Sequence, residues 1–347
     1  MERKTVTVQD VARVAGVSTA TVSRALSDPK KVSENARNAV NNAIATTGYR
    51  LNKAARNLRK QQAGAVLILV PNLGNPFFSQ ILQGISAVFS ETEYSILVSD
   101  TSDPSQRDLN LVDYFLDRRI DGLISLDGAL PISELELFKQ HSVANRIVFA
   151  CEWSPLVDFS SVRSNNVMGA QLAMRHLYDL GHRKIAHVTG PKGNVLTRER
   201  REGMLEARKQ LGLPSSAEWI IRGDFSLNSG FLAAKTIAEM EDRPTAVFCA
   251  SDMVAFGLIS GLKREGISVP NDISVVGFDD IEIAEFCDPP LTTIRQNRNG
   301  LGRAAAEQLL AQMGAQVTGT DNILQLDVQL LQRESTTVAK KHSSDVC

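Results

Sequence analysis

Apolar residues recur at helical spacing from the start of the chain. Between Val8 and Ala15 they fall at intervals of three and four, which predicts one buried face of a short helix. Gly16 favours a left-handed cap at the end of this helix, and Ser18 favours the start of a second helix, at about 19–26. Two short helices joined by a glycine-containing turn indicate a helix-turn-helix.

A third helical pattern follows, from the N-cap residue Ser33 to Gly48. Beyond it, Asn52 is a suitable cap for a short basic helix over 53–60, in which Leu58 is an exposed apolar residue. A helix this short is marginal in water and would form only when docked on DNA or on a second copy. Leu58 then suits a wedge into the minor groove, and the alternative interpretation is a flexible linker.

From residue 61 onward the pattern changes to apolar runs of about five residues that alternate with helical stretches. The predicted strands are 65–70, 94–98, 122–126, 147–151, 185–189, 246–250 and 273–277, with helices over 78–89 and 105–118 among the intervening segments. This alternation predicts doubly wound α/β sheets. Ligands of such sheets bind beyond the carboxyl ends of the strands.

Polar and aromatic residues follow directly after these strands. They are Asn75, Pro76, Phe77, Phe78, Asp100, Asp127, Glu152, Trp153, Ser251, Asp252, Asp279 and Asp280. Together they suit a ligand with many hydroxyl groups and a flat face. Taken one at a time, a carboxylate in this position is as often a helix N-cap as a ligand contact.

Charge separates the head of the chain from its body. Residues 1–60 contain twelve Lys or Arg and four acidic residues, a net charge of +8, whereas the remainder carries −9. A basic head with helical periodicity indicates a module that binds a polyanion. The outward positions of the second helix are Thr19, Ala20, Ser23 and Arg24. Arg24 suits either a bidentate bond to guanine or a phosphate contact.

Several classes of protein are disfavoured. The four cysteines are scattered and show no metal-ligand spacing, so neither a metal nor a cofactor is expected. We find no apolar leader and no run long enough to span a bilayer, so a soluble protein of the cytoplasm is expected. No GxGxxG, GxSxG, HExxH or P-loop motif is present, which disfavours an enzyme such as a nucleoside hydrolase or dehydrogenase.

The head sequence VTVQDVARVAGVSTATVSRALSDPKKVSENARNAVNNAIATTGYRLNKAARNLRK resembles the lactose-repressor family of bacterial transcription regulators. The body adds VPNLGNPFFSQILQGI, RRIDGLI, LGHRKIAHVTGP, FCASDMVAFG, VPNDISVVGFDD and PPLTTIRQ in the family's order and spacing. The resemblance covers about residues 5 to 335. It implies a small all-α helix-turn-helix DNA-binding domain and an α/β two-lobed domain that is similar to periplasmic binding proteins.

The resemblance also implies site residues. The DNA-binding residues are Thr19, Ala20, Ser23 and Arg24, with Lys53, Arg56, Leu58 and Arg59 in the hinge helix. The effector-binding residues are Phe77, Phe78, Glu152, Arg200, Phe225, Ser251, Asp252 and Asp279. Phe77 and Phe225 would stack on a base, and Arg200 and Asp279 would hold ribose hydroxyls. Arg198 and Arg201 remain alternatives to Arg200.

A domain plan follows from the resemblance. It places the headpiece at 1–50, the hinge helix and linker at 51–62, the effector and dimerisation domain at 63–338 and a tail at 339–347. Lobe 1 would be about 63–162 and 293–322, and lobe 2 about 163–292 and 323–338. The tail lacks a leucine heptad, so a homodimer is expected rather than a tetramer.

STATVSRAL, RGDF and FCDPPLTTI are most similar to a cytidine-responsive branch of the family. This implies a repressor of nucleoside uptake and breakdown genes that binds double-stranded operator DNA, with cytidine as effector and the cyclic-AMP receptor protein as a partner. A purine- or sugar-responsive repressor is the alternative, and a sugar solute-binding protein is the alternative of another class. Leu51 stands where the family usually has proline, and Asn165-Asn166 replaces a common Asp-Asn pair.

Overall fold

The computed structural model describes residues 6–50, 57, 61–102, 110–314 and 323–340. The chain divides into two compact units, Met1–Ala63 and Gly64–Cys347. The hinge-helix positions Lys53, Arg56, Leu58 and Arg59 lie outside the described residues, as does Leu51.

The first unit is built from short capped helices. They are α1 (Val8–Ala15), α2 (Thr19–Ser27), a 3₁₀ turn (Pro29–Lys31) and α3 (Glu34–Thr47). Gly16 and Gly48 end α1 and α3 in the left-handed region, each with φ 66°, and Ser18 and Ser33 cap the helices that follow them. Val11, Val22 and Val40, one from each helix, are fully buried together. The helix-turn-helix prediction is confirmed.

The second unit begins with a wholly parallel sheet that forms lobe 1. Its strands are β1 (Ala65–Val70), β2 (Ser95–Asp100), β3 (Gly122–Ser125), β4 (Ile147–Ala150), β5 (Ser160–Ser164) and β11 (Ile323–Leu326), in the order β11-β5-β4-β3-β1-β2. The helices that cover it include α4 (Phe77–Phe89), α5 (Leu111–Leu116), α6 (Ile132–Gln140) and α11 (Arg298–Gly314). Strands β1, β3 and β4 are apolar and almost completely buried, because helices cover both faces of the sheet.

Lobe 2 repeats this design. Its strands are β6 (Ile185–Val188), β7 (Ile220–Ile221), β8 (Ala246–Cys249), β9 (Ser274–Asp279), β10 (Thr292–Gln296) and β12 (Val328–Leu331), in the order β12-β10-β9-β8-β6-β7. The helices α7 (Asn166–Asp179), α8 (Val195–Gln210), α9 (Leu227–Ala238) and α10 (Asp252–Arg264) pack around it. Only the pairing of β12 with β10 is antiparallel among the strand pairs described in this sheet. The predicted two-lobed α/β architecture is confirmed.

The structure corrects two of the predicted lobe boundaries. Strand β10 pairs with β9 in lobe 2, so the chain crosses to lobe 1 at residue 297 rather than 293. Strand β11 pairs with β5 in lobe 1, so the return crossing lies at residue 327 rather than 323. Both boundaries came from the family resemblance, because β10 (TTIRQ) and β5 (SSVRS) are rich in polar residues and the apolar pattern did not predict them as strands.

All seven predicted strands occur, each within two residues of its predicted bounds. The helix predicted over 105–118 is described only from residue 110, where it is helical over Leu111–Leu116. Among the described residues, no helix is long and apolar enough to cross a membrane.

Candidate functional site: an exposed recognition helix and a cleft between two lobes

Helix α2 presents one polar face to solvent. The side chains of Thr19, Ala20, Ser23 and Arg24 are exposed. The opposite face of the helix fixes this orientation, because Val22 and Ala25 are buried against α1 and α3. The Ser18 hydroxyl accepts a hydrogen bond from the backbone N–H of Thr21 at 3.1 Å, which leaves the first turn of the helix well ordered and accessible. This is the end of the second helix that enters the major groove in helix-turn-helix proteins.

The cleft of the second unit lies where the carboxyl ends of both sheets meet. Residues at this edge adopt unusual backbone conformations: Cys151, Phe225, Asp279 and Asp280 have φ angles of 69°, 68°, 124° and 53°. Positive φ is costly for residues with a side chain, and such strain is concentrated at ligand sites. The strained residues therefore mark the same strand ends that the sequence analysis selected.

Arg200 is the central cation of the cleft. Its side chain is 2% exposed, whereas Arg198 and Arg201 on the same helix point to solvent. The Nε donates to the Asn166 amide oxygen at 3.0 Å and an Nη donates to the Ala250 carbonyl oxygen. The guanidinium also lies flat over the Phe278 ring, 3.7 Å from its centroid. The geometry favours Arg200 over its two neighbours as the residue that faces a ligand.

Asp279 faces this arginine. Its Oδ1 lies 3.6 Å from an Nη of Arg200 and accepts a hydrogen bond from the Gln296 amide at 2.7 Å. Burial raises the pKa of Asp279 to about 6, although Arg200 and Arg298 lower it. A buried carboxylate beside a buried guanidinium offers both acceptors and donors, which is the arrangement that holds neighbouring hydroxyl groups of a sugar.

Asp252 was expected to contact the effector, but its carboxylate lies inside lobe 2. It is completely buried, and each of its carboxylate oxygens is bonded within lobe 2: Oδ1 accepts from the Thr293 hydroxyl at 2.5 Å and Oδ2 from the N–H of Ile281 at 2.8 Å. We therefore interpret Asp252 as a residue that joins α10, β10 and the loop after β9. Its neighbour Ser251 caps α10, since its hydroxyl accepts from the N–H of Val254.

Aromatic rings approach the cleft from both lobes. Phe77 and Phe78 begin α4 in lobe 1, are about 5% exposed and pack edge to face with centroids 5.1 Å apart. Phe225 follows β7 in lobe 2, and its half-buried ring lies beside Gly190 of the same lobe and packs against the apolar cluster in which residues of both lobes meet. A flat ligand group between the lobes would therefore meet a phenyl ring from each of them.

Glu152 connects the lobes on the lobe 1 side of the cleft. It is 8% exposed, accepts from the N–H of Gly128 at 3.3 Å and from the side chain of Asn194, the N-cap of α8 in lobe 2. Burial, with a contribution from Asp127, raises the pKa of Glu152 to about 7. The carboxyl group therefore exchanges its proton near neutral pH.

Replacing Glu152 with glutamine should remove a pH dependence of stability. The pKa is 4.5 for an ordinary glutamic acid and about 7 in the folded protein, so the folded state binds more protons between these values. The free energy of unfolding of the unmodified protein should consequently fall as the pH rises through this window. We expect E152Q to gain about 2–3 kcal/mol relative to the parent chain between pH 5 and pH 8, measured by urea unfolding.

The exposed Glu136 provides the control for this experiment. E136Q should keep a constant difference from the parent protein, within about 0.5 kcal/mol, across the same pH range. A constant difference for E152Q as well would show that Glu152 is not the source of the pH dependence.

Two other residues at the cleft, Asn194 and Gln296, were missed by sequence analysis, and Asn166 was noted there only as part of the Asn165-Asn166 pair. Gln296 ends β10, and the rule of strand ends would have selected it if this strand had been recognised. Asn166 links the Arg200 guanidinium to Glu199. Its neighbour Asn165 caps α7 by accepting from the N–H of Met168, which is the bond an aspartate would accept at this position.

Among the described residues there is no group of three or more His, Cys, Asp or Glu side chains that could hold a metal ion.

Comparison with known proteins defines the family. The model for "Bacterial regulatory proteins, lacI family" matches residues 7–52, and the model for "Periplasmic binding protein-like domain" matches residues 174–336. The HTH-type transcriptional repressor CytR of Escherichia coli K12 is 38% identical over 330 residues, which cover 95% of this chain and 96% of that protein. The chain belongs to the lacI family of bacterial regulatory proteins.

Relatives in this family extend the similarity to both units. The HTH-type transcriptional repressor PurR of Vibrio vulnificus is 33% identical over 305 residues, covering 88% of this chain and 91% of that protein. The lac repressor dimer bound to operator and the anti-inducer ONPF has a TM-score of 0.83 and 30% identity, over 96% of this chain and all of that one. The lacI-family chain described here is therefore a transcription regulator with a helix-turn-helix head and an effector-binding domain.

Proposed function

We propose that this lacI-family chain is an operator-binding repressor whose effector is a nucleoside, with cytidine as the preferred ligand. The observation that carries the proposal is the buried Arg200–Asp279 pair, placed between lobes that each contribute a phenyl ring. One part of this site suits a diol and the other suits a flat base. The exposed face of α2 supplies the DNA-binding half of the function.

The effector contacts in this proposal are Phe77, Phe78, Glu152, Arg200, Phe225, Ser251 and Asp279. Asp279 and Arg200 would hold the ribose hydroxyls, because this buried carboxylate and guanidinium lie 3.6 Å apart and together offer acceptors and donors to neighbouring hydroxyl groups. Phe225 and Phe77 would enclose the base. Asp252 is left out of this set because both of its oxygens are already bonded.

The contacts proposed for DNA are Thr19, Ala20, Ser23 and Arg24, together with Lys53, Arg56, Leu58 and Arg59 of the hinge helix. Two such sets, one from each copy of a homodimer, would read two half-sites of the operator.

The second unit offers a surface for this dimer, since Leu97, Val98, Ile283 and Phe286 are 43%, 46%, 55% and 74% exposed. A cavity of about 860 Å³ beside Ile283 is lined mainly by apolar side chains, including Leu227, Met253 and Phe256. Exposed apolar side chains around such a cavity are the kind of surface at which a second copy would bind.

The alternatives within the same class of protein differ in the ligand. A sugar would use the same Arg200–Asp279 pair, and a purine would use the same rings, so a sugar- or purine-responsive repressor is the second candidate.

A solute-binding protein would have no use for the exposed face of α2. An enzyme would need a nucleophile or a general base beside the ligand. Glu152 is a carboxyl group in such a position, but a role in ligand recognition explains it equally well. The repressor would act in the cytoplasm, where operator DNA and the cyclic-AMP receptor protein are available to it.

Calorimetric titration of the full-length chain tests the effector assignment. The ligands are cytidine, uridine, adenosine, ribose and guanine, and each is also added to the operator complex in a fluorescence-anisotropy assay. We expect cytidine to bind most tightly and to weaken operator binding roughly 5- to 150-fold, the usual range of allosteric coupling. If only ribose or guanine binds, the cytidine assignment is wrong; if none changes operator binding, the proposed regulation is wrong.

A further inference from the structure

Arg298 is a buried cation that contacts both lobes. It is the first residue of α11 and is 3% exposed. One Nη donates to the carbonyl oxygen of Phe77 in lobe 1 at 3.4 Å, and the other donates to the carbonyl oxygen of Asp280 in lobe 2 at 2.8 Å. A single guanidinium thus bonds the main chain on both sides of the cleft.

On the lobe 1 side, Arg298 belongs to a rigid pair of helices. Helices α11 and α4 approach so closely that a Cβ added to Gly84 would lie 2.2 Å from the carbonyl oxygen of Asn299. A Cβ added to Gly302 would lie 2.0 Å from the carbonyl oxygen of Ile81. Backbones in such contact move as one body. The guanidinium of Arg298 therefore has a fixed position relative to Phe77, the first residue of α4.

On the lobe 2 side, the bonded carbonyl belongs to a strained and firmly held turn. Asp279 and Asp280 both have positive φ, and the Asp280 carboxylate accepts from Arg295 and from Arg333, each at 2.7 Å. These two arginines lie on β10 and just after β12, within the same lobe. The Asp280 carboxylate thus holds the turn to lobe 2, and the Asp280 carbonyl oxygen bonds it to Arg298.

The two carbonyls that Arg298 bonds lie beside proposed effector contacts. One is the carbonyl of Phe77 itself, and the other belongs to the residue after Asp279. A change in the separation of the lobes alters the distance between these carbonyls, and Arg298 can bond both only at one separation. Hydrogen bonds from a charged donor to buried carbonyls are stronger than neutral ones, so the guanidinium favours that separation.

We infer that Arg298 is a positioning residue of the effector cleft, which sets the separation of Phe77 from Asp279 and so determines effector affinity. The inference rests on the proposed function, in which those two residues contact the effector. Arg298 bonds the main chain of the two lobes, and its charge also lowers the pKa of Asp279. It does not belong to the set of side chains proposed to touch the ligand.

The test uses three variants of the full-length protein: R298M, R298K and R303M. R298M removes the hydrogen bonds at similar volume, and R298K keeps the charge and one donor group. R303M is the matched control, because Arg303 lies on the same helix and pairs only with the exposed Glu307 among the described residues. Cytidine affinity is measured by calorimetry and operator affinity without cytidine by anisotropy.

R298M should bind cytidine roughly 10- to 100-fold more weakly. It loses the two charged hydrogen bonds that favour the lobe separation at which Arg298 bonds both carbonyls. R298K should recover part of this loss, and R303M should bind like the parent protein. Operator affinity without cytidine should stay within about twofold for all three variants. Equal affinity for cytidine in R298M and the parent would overturn the inference, as would a parallel loss of operator affinity, which indicates general damage to the fold.

A second measurement does not depend on the effector. Amide hydrogen exchange without ligand should be faster in R298M than in R303M for peptides covering 77–80 and 279–286, because these segments lose their link. If cytidine fails to bind the parent protein but this difference is present, the effector assignment is wrong and the role of Arg298 stands. Unchanged exchange in R298M contradicts the role of Arg298 whatever the effector is.

Discussion

Replacement of Arg200 by methionine should abolish the response to the effector and lower the free energy of unfolding by about 3 kcal/mol. The guanidinium is buried, bonds Asn166 and the Ala250 carbonyl, and lies beside the Asp279 carboxylate. Its removal leaves an acidic group in a site that water hardly reaches, together with acceptors that lose their donor. Urea unfolding at pH 8 and calorimetry with cytidine measure the two effects.

The double variant R200M/D279N separates these contributions. Without the carboxylate no unpaired charge remains, so part of the lost stability should return, while the effector response should not. R201M is the control, because Arg201 lies on the same helix and points to solvent. A normal response in R200M, or a loss of response in R201M, would show that the ligand-facing arginine was wrongly assigned.

Replacement of Arg24 by alanine should have the largest effect on DNA recognition. Arg24 is exposed on α2, and a bidentate bond to guanine contributes about 1–3 kcal/mol of discrimination, or roughly 5- to 150-fold. We expect R24A to lose base preference at one position of each half-site, with a smaller change in binding to unrelated DNA. Anisotropy with a set of single-base operator variants measures this preference.

The exposed Lys30 of the same unit offers a comparison. K30A should weaken binding to all sequences alike and reduce the dependence on salt, which is the behaviour of a phosphate contact. If R24A behaves like K30A, then Arg24 also contacts phosphate and base recognition lies elsewhere on α2.

The three helices between Val8 and Thr47 were predictable almost to the residue. Helices α1 and α3 end at the C-cap residues Gly16 and Gly48, and helices α2 and α3 follow the N-cap residues Ser18 and Ser33. Glycine and serine at this spacing are typical of helix ends and helix starts. The exposed face of α2 followed from the same periodicity. Local chemistry alone determines these features, so one sequence is enough to predict them.

The cleft was predictable only in part. Strand-end residues such as Glu152 and Asp279 were found because their strands, β4 and β9, have apolar interiors. Strands β5 and β10 were not, since their buried threonine and serine side chains bond to other elements rather than follow the apolar pattern. The inward direction of Arg200 and the enclosure of Asp252 depend on contacts between residues far apart in the chain, which periodicity does not describe.

The enclosure of the cleft has a consequence for timing. Arg200, Asp279 and Glu152 are each less than a tenth exposed, so the proposed effector would reach them only when the lobes separate. Association is then limited by the fraction of time spent open, and the observed rate constant falls below that of a simple diffusive encounter. The same enclosure delays escape. A regulator built in this way responds to the sustained level of its ligand and averages over brief fluctuations.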